Sequence, residues 1–315
     1  MKIVVVEPLG IDTEEMKSYE EIFQELGHDL VFYDHKVFGA DLVKRIHDAD
    51  IIVVANQPID GSVLSECSNL KMISVAFTGV DHIDLDFCKS KKIMVSNSAG
   101  YCTTSVAELT IGLMLSISRS IVNGDFLTRN GYDGKTLTGF ELKGKRVGII
   151  GTGKIGTEVA RILTAFGVKI LGFGRTENKE FLKYGEYYPL DEILTTSDFV
   201  SVHLPLTKAT ENFLSEEMLN LMKSDAVLIN TSRGKVVDNN YLYHMLKKNK
   251  IQAAALDVFD VEPPLDTNTP LLSLKNCVLT PHIGYSTKEA ITDRAKIVFN
   301  NILAFFKGEQ NNKIL

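Results

Sequence analysis

Three glycines at fixed spacing give this sequence its first chemical signal. Gly151, Gly153 and Gly156 form a G-x-G-x-x-G. The apolar run Arg146–Ile150 precedes them, and helical spacing follows over Thr157–Phe166. Between a strand and a helix, such glycines permit a tight turn, let the backbone approach a pyrophosphate, and allow close helix–strand packing. The loop therefore predicts a dinucleotide site, with a purely structural glycine turn as the alternative.

The acidic residue that would hold the adenosine ribose of this dinucleotide is missing. Such a residue usually ends the second strand, about 20 positions after the glycines. The segment at that place is Gly172-Phe173-Gly174-Arg175-Thr176. An arginine can pair with a 2′-phosphate, which a carboxylate would repel. Arg175 therefore favours NADP(H) as the cofactor, whereas an ordinary surface arginine would leave NAD(H) usable.

Three reactive side chains follow later strands of the same series. Arg233, Glu262 and His282 each come a few residues after a short apolar run. In an open α/β sheet, ligands bind beyond the carboxyl ends of the strands. Taken singly, these residues could be a solvated loop cation, a surface acid and a loop histidine. Together they form a plausible set of cation, carboxylate and imidazole.

This set suits hydride transfer between a nicotinamide and a 2-keto acid. The transfer places negative charge on the C2 oxygen of the substrate, so a donor must deliver a proton. His282 can deliver it near neutral pH, and a carboxylate at Glu262 would stabilise the imidazolium. Arg233 can bind the substrate carboxylate and polarise the keto group.

The elements that must position these residues alternate between strands and helices, which predicts βαβ units and parallel sheets. A long helix is predicted over Thr104–Ile121, an excursion between elements over Gly124–Gly144, and a last helix over Lys288–Phe306. Two series of strands indicate an α/β chain with two similar, doubly wound parallel-sheet domains. The predicted strands are Lys2–Val6, Leu30–Tyr33, Asp50–Ala55, Met72–Phe77 and Ile93–Ser96, then Arg146–Ile150, Lys169–Phe173, Phe199–His203, Ala226–Asn230, Ala253–Val258 and Cys277–Thr280.

Composition limits the partners and the compartment. The 315 residues carry a net charge of −6, which argues against nucleic acid because phosphate backbones recruit basic stripes. The four cysteines stand far apart without a C-x-x-C pair, so neither a disulfide framework nor a metal site is expected. No apolar run reaches the roughly 18 residues of a membrane span, and the N-terminal run is too short for a signal peptide. We therefore expect a cytoplasmic protein without a membrane partner.

Several stretches together closely resemble the D-isomer-specific 2-hydroxyacid dehydrogenase family. The matching stretches are Val147–Gly156, His203–Thr207, Ile229–Val237, Ala255–Pro263, Thr280–Gly284, Gly79–Asp84 and Val106–Glu108. The resemblance covers essentially the whole chain. It implies a Rossmann cofactor domain, residues 100–285, inserted into a flavodoxin-like catalytic domain that binds the substrate, residues 1–99 plus 286–315. It also implies a homodimer.

The resemblance further implies roles for individual residues. Arg233 is expected to anchor the substrate, His282 to act as general acid and base, and Glu262 to partner His282. The loop Phe77-Thr78-Gly79-Val80 is expected to present backbone amides to the substrate carboxylate, while His203 is the alternative proton donor. The expected cofactor contacts are Thr104, Gly151, Gly153, Lys154, Ile155, Gly156, Gly174, Arg175, Thr176, His203, Pro205, Thr231, Ser232, Arg233, Asp257, His282 and Gly284.

Two loops bear on the identity of the substrate. Relatives that use phosphoglycerate often carry arginines in the loops that here are Ala55-Asn56-Gln57-Pro58 and Val75-Ala76-Phe77-Thr78. Without a cation a dianionic phosphate would be poorly held, so we expect a small acid with an uncharged tail, glyoxylate or hydroxypyruvate. The alternative enzymes are a 3-phosphoglycerate, phosphite or formate dehydrogenase. A nucleotide-sensing binding protein, like the corepressors that resemble this family, is the alternative from another class.

Overall fold

Two separate parallel sheets make up the protein. The computed structural model describes residues 1–135, 137–262 and 264–315, so Pro263, which ends one of the matching stretches, lies outside the described residues. Contacts divide the chain into a first unit, Met1–Cys102 with Ser286–Leu315, and a second unit, Thr103–Tyr285. Along the chain the second unit is an insertion in the first. Its start lies at residue 103 rather than at the expected residue 100.

The first unit has a five-stranded parallel sheet in the order β2-β1-β3-β4-β5, which is the flavodoxin-like order. Its strands are β1 (Lys2–Val5), β2 (Asp29–Phe32), β3 (Ile51–Val54), β4 (Met72–Val75) and β5 (Met94–Ser96). Its helices are α1 (Thr13–Glu25), α2 (Ala40–Ile46), α3 (Gly61–Ser65), α4 (Leu85–Lys91) and, from the far end of the chain, α11 (Lys288–Phe306).

Side-chain caps explain where four of these helices begin. Asp12, Asp60, Asp84 and Thr287 each accept a hydrogen bond from the backbone amide three residues further on. Such a bond satisfies one of the amides that the first turn of a helix leaves unpaired. The last helix, α11, then packs on β4. The helix thus joins the two parts of the first unit that are distant in sequence.

The second unit has a seven-stranded parallel sheet in the order β12-β11-β10-β9-β6-β7-β8. The strand order reverses between β6 and β9, as in the Rossmann fold. Its strands are β6 (Arg146–Ile150), β7 (Lys169–Phe173), β8 (Glu186–Tyr187), β9 (Phe199–Val202), β10 (Val227–Asn230), β11 (Ala253–Leu256) and β12 (Cys277–Leu279). Its helices are α5 (Thr103–Ser118), α6 (Ile121–Arg129), α7 (Lys154–Leu163), α8 (Leu190–Thr196), α9 (Glu216–Leu219) and α10 (Asn239–Lys247).

Both faces of the second sheet are buried, which is why its strands are apolar throughout. In β10, Val227 and Ile229 pack with residues of α5 and α7 on one face. Leu228 points to the other face and packs with residues of α8, α9 and α10. All three side chains are fully buried. Successive side chains of one strand therefore enter two different cores, so the strand has no face open to solvent.

The predicted fold class is confirmed: both units are doubly wound α/β sheets, one flavodoxin-like and one of the Rossmann type. The strands β6 and β7 and the helix α11 have the predicted bounds, and the other predicted strands end within two residues of them. The short strand β8 was not predicted, because two residues give no recognisable pattern.

The segment after α5 corrects two predictions. The helix predicted to reach Ile121 ends at Ser118, because Ser120 adopts a left-handed conformation with φ of 51° that breaks the helix. A separate helix, α6, then occupies Ile121–Arg129, where the predicted excursion from Gly124 begins. Within the described ranges no single helix is long and apolar enough to cross a membrane. The helices α5 and α6, which are bent by 60° relative to each other, have the necessary length and apolar composition only when taken together.

Candidate active site

The second sheet brings most of the predicted site residues to one edge. Because all its strands are parallel, the loops at their carboxyl ends share that edge. The edge carries Gly174–Thr176 after β7, the glycine loop after β6, and His203 after β9. Beyond them follow the loops that carry Arg233 after β10, Asp257 and Glu262 after β11, and His282 after β12. The glycine loop lies at the point where the strand order reverses, where open α/β sheets bind ligands.

The glycine loop has the space that a pyrophosphate needs. Gly151 has φ of 102°, and a Cβ there would lie 2.5 Å from the carbonyl oxygen of His203. A Cβ on Gly156 would lie 2.0 Å from the carbonyl oxygen of Gly151. A Cβ on Gly153 would have no heavy atom of the described residues within 4 Å. The first and third glycines are thus fixed by packing, and the second opens onto free space where α7 begins at Lys154. No described side chain caps this helix, and the amides of a first helical turn lack intrahelical partners and can bind a phosphate. These residues fit a dinucleotide phosphate.

The segment after β7 has a cation where a carboxylate is more usual. Arg175 and Thr176 are exposed. Within the described residues, no hydrogen bond or ion pair engages the Arg175 guanidinium. Gly174, which precedes it, is partly buried against Thr152 of the glycine loop. Arg175 is therefore available to a ligand phosphate beside the glycine loop.

His203 is unsuited to donate a proton at neutral pH. Burial lowers the pKa of His203 to about 4. Its Nε2 shares a 2.8 Å hydrogen bond with the hydroxyl of Ser201, which is fully buried in β9. The backbone of His203 also lies against Gly151, as the close approach of its carbonyl indicates. His203 thus acts as a neutral packing and hydrogen-bonding residue beside the glycine loop, which weakens it as the alternative acid.

His282 and Glu262 are joined by a hydrogen bond. The Nδ1 of His282 donates to Oε2 of Glu262 at 2.7 Å. Because a carboxylate only accepts, Nδ1 carries the hydrogen and Nε2 is the ring atom left to exchange a proton. Within the described chain, Nε2 has no hydrogen-bond partner. The His282 side chain is 21% exposed and that of Glu262 is 44% exposed, so a ligand could reach the pair.

A buried carboxylate holds the loop that carries His282. His282 itself has φ of 54°, a left-handed conformation that is uncommon for residues with a side chain. Asp257 accepts hydrogen bonds from the hydroxyl of Thr280 at 2.6 Å and from the amides of Ile283 at 2.9 Å and Gly284 at 2.8 Å. Burial raises the pKa of Asp257, while these hydrogen bonds act in the opposite direction. Three donors around one buried carboxylate fix the loop on both sides of His282.

A second buried polar side chain shapes the turn that carries Arg233. Asn230 ends β10 and is fully buried; its amide donates to the carbonyl of Arg233 at 2.9 Å. Its Oδ1 accepts from the amide and the hydroxyl of Ser232 at 3.0 and 2.8 Å. The Arg233 guanidinium donates to the carbonyl of Ser232 at 2.8 Å. A Cβ on Gly234 would lie 2.0 Å from the carbonyl carbon of Phe259, so this turn packs directly on the segment that leads to Glu262.

One predicted cofactor contact faces the interior. Thr231 is buried, and its hydroxyl shares a 2.9 Å hydrogen bond with that of Thr110 on α5. The hydroxyl of Thr110 also donates to the carbonyl of Val106 at 2.8 Å. The Thr231 side chain therefore ties the end of β10 to α5.

The predicted substrate loop lies in the first unit, after β4. Phe77 is buried, with the guanidinium carbon of Arg294 at 5.3 Å from its ring centroid. Its carbonyl accepts from the amide of Ser98 at 3.0 Å, and the carbonyl of Thr78 accepts from the side-chain amide of Asn97 at 2.7 Å. These contacts satisfy the carbonyls of Phe77 and Thr78.

A lysine stands beside the other predicted substrate-side loop, 55–58. The ammonium of Lys36 donates to Oδ1 of Asn56 at 2.5 Å and lies 3.1 Å from Oε2 of Glu7. Glu7 is 2% exposed, and its other oxygen accepts from the amides of Ala55 and Gln57 at 2.9 and 2.8 Å. The loop is thus organised around a buried carboxylate whose charge offsets that of Lys36. The loop sequence alone did not reveal this cation, because Lys36 lies about 20 residues earlier in the chain.

The structure thus brings His282 to Glu262, and Asp257 to the loop of His282. It packs the turn of Arg233 on the Glu262 segment. The sequence reasoning missed the residues that hold this arrangement. Asn230 and Thr280 are the clearest cases, and each is a polar residue at the end of an apolar run. This position at the end of an apolar run could have identified Asn230 and Thr280, since a buried polar group needs a hydrogen-bond partner.

Comparison with known proteins finds a family model described as "D-isomer specific 2-hydroxyacid dehydrogenase, NAD binding domain", which matches residues 111–284. A glyoxylate reductase of Thermofilum pendens is 42% identical over 278 residues, which is 85% of this chain and 82% of that protein. A hydroxypyruvate reductase of Thermotoga maritima is 42% identical over 253 residues, 79% of this chain and 82% of that protein. A D-3-phosphoglycerate dehydrogenase of Methanocaldococcus jannaschii is 38% identical over 315 residues, 98% of this chain but 58% of that protein.

Solved structures share the fold over the whole chain. An acyclic imino acid reductase, Bsp5, solved in complex with NADPH and D-Arg, has a TM-score of 0.91 at 30% sequence identity. The comparison covers 100% of both chains. Sheets, helices and their order are therefore those of a known group of nicotinamide-dependent enzymes.

The neutral state of the partly buried His203 predicts a pH-dependent stability. Its folded-state pKa, about 4, lies below its ordinary value of 6.5. Between these values the unfolded chain binds a proton that the folded chain does not, so acidification through this range destabilises the fold. We expect the urea midpoint of the wild type to fall from pH 7 to pH 5 by more than that of His203→Gln. His244→Gln, which removes an exposed histidine of the same unit, should follow the wild type. An equal fall of the urea midpoint in wild type and His203→Gln would contradict the neutral state of His203.

Proposed function

This chain belongs to the D-isomer specific 2-hydroxyacid dehydrogenase family, and we propose that it reduces glyoxylate or hydroxypyruvate with NADPH. The reaction is reversible, so glycolate or D-glycerate is oxidised in the other direction. The observation that carries the proposal is the hydrogen-bonded pair of His282 and Glu262 at the edge of the sheet that holds the glycine loop. The names of the relatives from Thermofilum pendens and Thermotoga maritima support the substrate class.

Proton transfer is assigned to His282, with Glu262 as its partner. The nicotinamide, when bound, supplies a hydride to the carbonyl carbon of the substrate. His282 delivers a proton from Nε2 to the carbonyl oxygen as negative charge develops there. Glu262 holds Nδ1 and stabilises the imidazolium before the transfer. In the oxidative direction the neutral ring takes the proton back through the same atom.

Arg233 is assigned to the substrate carboxylate. A guanidinium can hold a carboxylate through two parallel hydrogen bonds and can also polarise the neighbouring keto oxygen. The turn that carries Arg233 is set by the buried side chain of Asn230. That support is what a binding residue needs, because a loosely held cation orients a small substrate poorly. The roles of Phe77–Val80 as a carboxylate-binding loop, the homodimer and the cytoplasmic location remain predictions of the sequence.

The proposal of NADPH rather than NADH rests on the segment after β7. Arg175 is exposed and, in the described part of the chain, unengaged beside the glycine loop. The residue before it is a glycine, so no carboxylate is present there to repel a 2′-phosphate. The neighbouring structure of Bsp5, which was solved with NADPH, supports this choice of cofactor.

The proposed substrates follow from the charge near the loop 55–58. Asn56 and Gln57 are neutral, and the nearby Lys36 is paired with the buried Glu7. The local charge is therefore close to balanced. Such a site suits the hydrogen atom of glyoxylate or the hydroxymethyl group of hydroxypyruvate better than the phosphate of 3-phosphohydroxypyruvate.

A second candidate is the oxidation of 3-phosphoglycerate. The observation in its favour is Lys36, whose side chain is 39% exposed and whose ammonium contacts Asn56 of that loop. The resemblance to the Methanocaldococcus jannaschii dehydrogenase points the same way. This candidate ranks second because Glu7 already offsets the charge of the lysine.

The substrate and cofactor are tested together by the absorbance at 340 nm. NADPH and NADH are each combined with glyoxylate, hydroxypyruvate and 3-phosphohydroxypyruvate. We expect the highest kcat/KM with NADPH and one of the two small acids, and a preference for NADPH of about 10-fold or more, since the phosphate gains charge-assisted hydrogen bonds. A ratio of NADPH to NADH below one would refute the cofactor proposal. Faster turnover of 3-phosphohydroxypyruvate than of hydroxypyruvate would replace the proposed substrate by the second candidate.

Replacement of the proton donor should remove most of the activity. His282→Asn should lower kcat by about 10²–10⁴-fold, the usual contribution of general acid catalysis. The matched control is His244→Asn, which changes an exposed histidine on α10 and should keep full activity. Near-normal turnover by His282→Asn would remove this residue from the mechanism.

Loss of the carboxylate partner should change the pH profile of reduction. In Glu262→Gln the imidazolium of His282 loses the negative charge that stabilises it, so the alkaline limb of kcat/KM should move to lower pH. Asp260→Asn, a change at an exposed acid two residues away, is the control and should leave the limb in place. An unshifted limb in Glu262→Gln would argue against the pairing, even if the rate falls.

A further inference from the structure

One phenol ties together three segments on the ribose side of the glycine loop. The hydroxyl of Tyr187, on the edge strand β8, donates to Oγ1 of Thr152 at 2.6 Å. The same hydroxyl accepts from the backbone amide of Asn178 at 2.8 Å. Thr152 lies between the first two glycines of the loop, and Asn178 lies three residues after Arg175. The edge strand thus reaches both the phosphate-binding loop and the segment that carries the cation.

Asn178 adds a second connection between the same segments. Its side-chain amide donates to the carbonyl of Thr152 at 2.8 Å and to Oγ1 of Thr157 at 3.2 Å. Its Oδ1 accepts from the amide of Glu180 at 3.0 Å. Thr152 and Thr157 are both buried. The hydroxyl of Thr152 is therefore held in one orientation, since turning it away would leave the partly buried hydroxyl of Tyr187 without this acceptor.

The hydroxyl of Thr152 occupies the space that the Cβ of any other residue at position 174 would need. A Cβ built on Gly174 would lie 2.7 Å from Oγ1 of Thr152, closer than real Cβ atoms come to their neighbours. Gly174 is not among the residues with positive φ, so space rather than backbone conformation requires the glycine. Position 174 follows the end of β7, which is where a ribose-binding carboxylate is expected in this fold.

We propose that Thr152, fixed by Tyr187, is the residue that sets cofactor selectivity. Its hydroxyl excludes an acidic side chain at position 174. The connections through Tyr187 and Asn178 hold the segment 174–178 so that Arg175 meets a 2′-phosphate. Thr152 and Tyr187 act here as positioning residues, because the cation and the glycine-loop amides make the contacts with the nucleotide. This inference rests on the proposed preference for NADPH and deepens it.

The first experiment asks whether Thr152 blocks a carboxylate at position 174. Isothermal titration calorimetry measures NADH binding to Gly174→Asp, to Thr152→Ala with Gly174→Asp, and to Thr152→Ser with Gly174→Asp. Because alanine removes the obstructing oxygen, the Ala double variant should bind NADH about 10-fold more tightly than Gly174→Asp alone, the size of one charge-assisted hydrogen bond. The Ser double variant keeps the hydroxyl and should behave like Gly174→Asp. Equal NADH affinity in all three variants would overturn the proposal.

The second experiment isolates the contribution of Tyr187 without catalysis. Tyr187→Phe keeps the ring, which packs edge-on against Phe181 at 5.4 Å between centroids, and removes only the hydroxyl. We expect the Kd for 2′,5′-ADP to rise about 5- to 10-fold while the Kd for 5′-AMP changes less than twofold, since the loss concerns the segment that faces the 2′-phosphate. In turnover, KM for NADPH should rise with little change in kcat. Tyr188→Phe is the control, because among the described residues its hydroxyl bonds only Glu186, two positions earlier.

The outcomes separate this inference from the proposed function. An equal loss of affinity for 2′,5′-ADP and 5′-AMP in Tyr187→Phe would mean a structural role alone and would overturn the positioning role. If wild-type protein binds 5′-AMP as tightly as 2′,5′-ADP, the preference for NADPH fails, while the NADH comparison still decides whether Thr152 blocks position 174. Should Gly174→Asp not fold, Thr152→Ala alone serves instead. It should weaken 2′,5′-ADP binding as Tyr187→Phe does, and unchanged binding would overturn the proposal.

Discussion

The carboxylate of Asp257 is the interaction on which the geometry of the candidate site depends. It is fully buried, which disfavours its charge, and three donors from the loop after β12 compensate for the lost water. Those donors lie on both sides of His282, whose left-handed backbone would otherwise be free to relax. The imidazole can meet Glu262 only while this loop is held. Asn230 does the same for the turn of Arg233, so the exposed reactive groups depend on buried polar groups that do not react.

The parallel sheet supplies the second constraint. Neighbouring strands lie about 4.8 Å apart, so the loops after β10, β11 and β12 emerge within about 10 Å of one another. A cation, a carboxylate and an imidazole can therefore act on one small molecule without any long connection. The reversal of strand order beside β6 divides the edge into two sides. Each side is set by its own hydrogen bonds, Tyr187 with Thr152 on one and Asp257 with Thr280 on the other.

Much of the fold and of the candidate site could be predicted from the sequence where the pattern is local. Strands buried on both faces are continuous apolar runs, so β6 and β7 were predicted with their bounds. The pairing of Glu262 with His282 followed from chemical complementarity and from the resemblance. The start of α6 was missed because the break at Ser120 carries no glycine or proline. The contacts of Tyr187 with Thr152 and of Lys36 with Glu7 join residues 29 or more positions apart. No spacing rule connects such residues, so only the folded structure reveals them.

The insertion of the second unit within the first has a consequence for how the chain is made. Helix α11 completes the first unit, where Ser74 of β4 donates to the carbonyl of Val298 and Phe299 packs beside Phe23. A ribosome must therefore synthesise the whole inserted unit before the N-terminal sheet receives its last covering helix. Until then the part of that sheet that α11 covers stays exposed, while the inserted unit already has all its own strands. The nucleotide-binding half can mature first, and the N-terminal half is the part that needs protection from aggregation during translation.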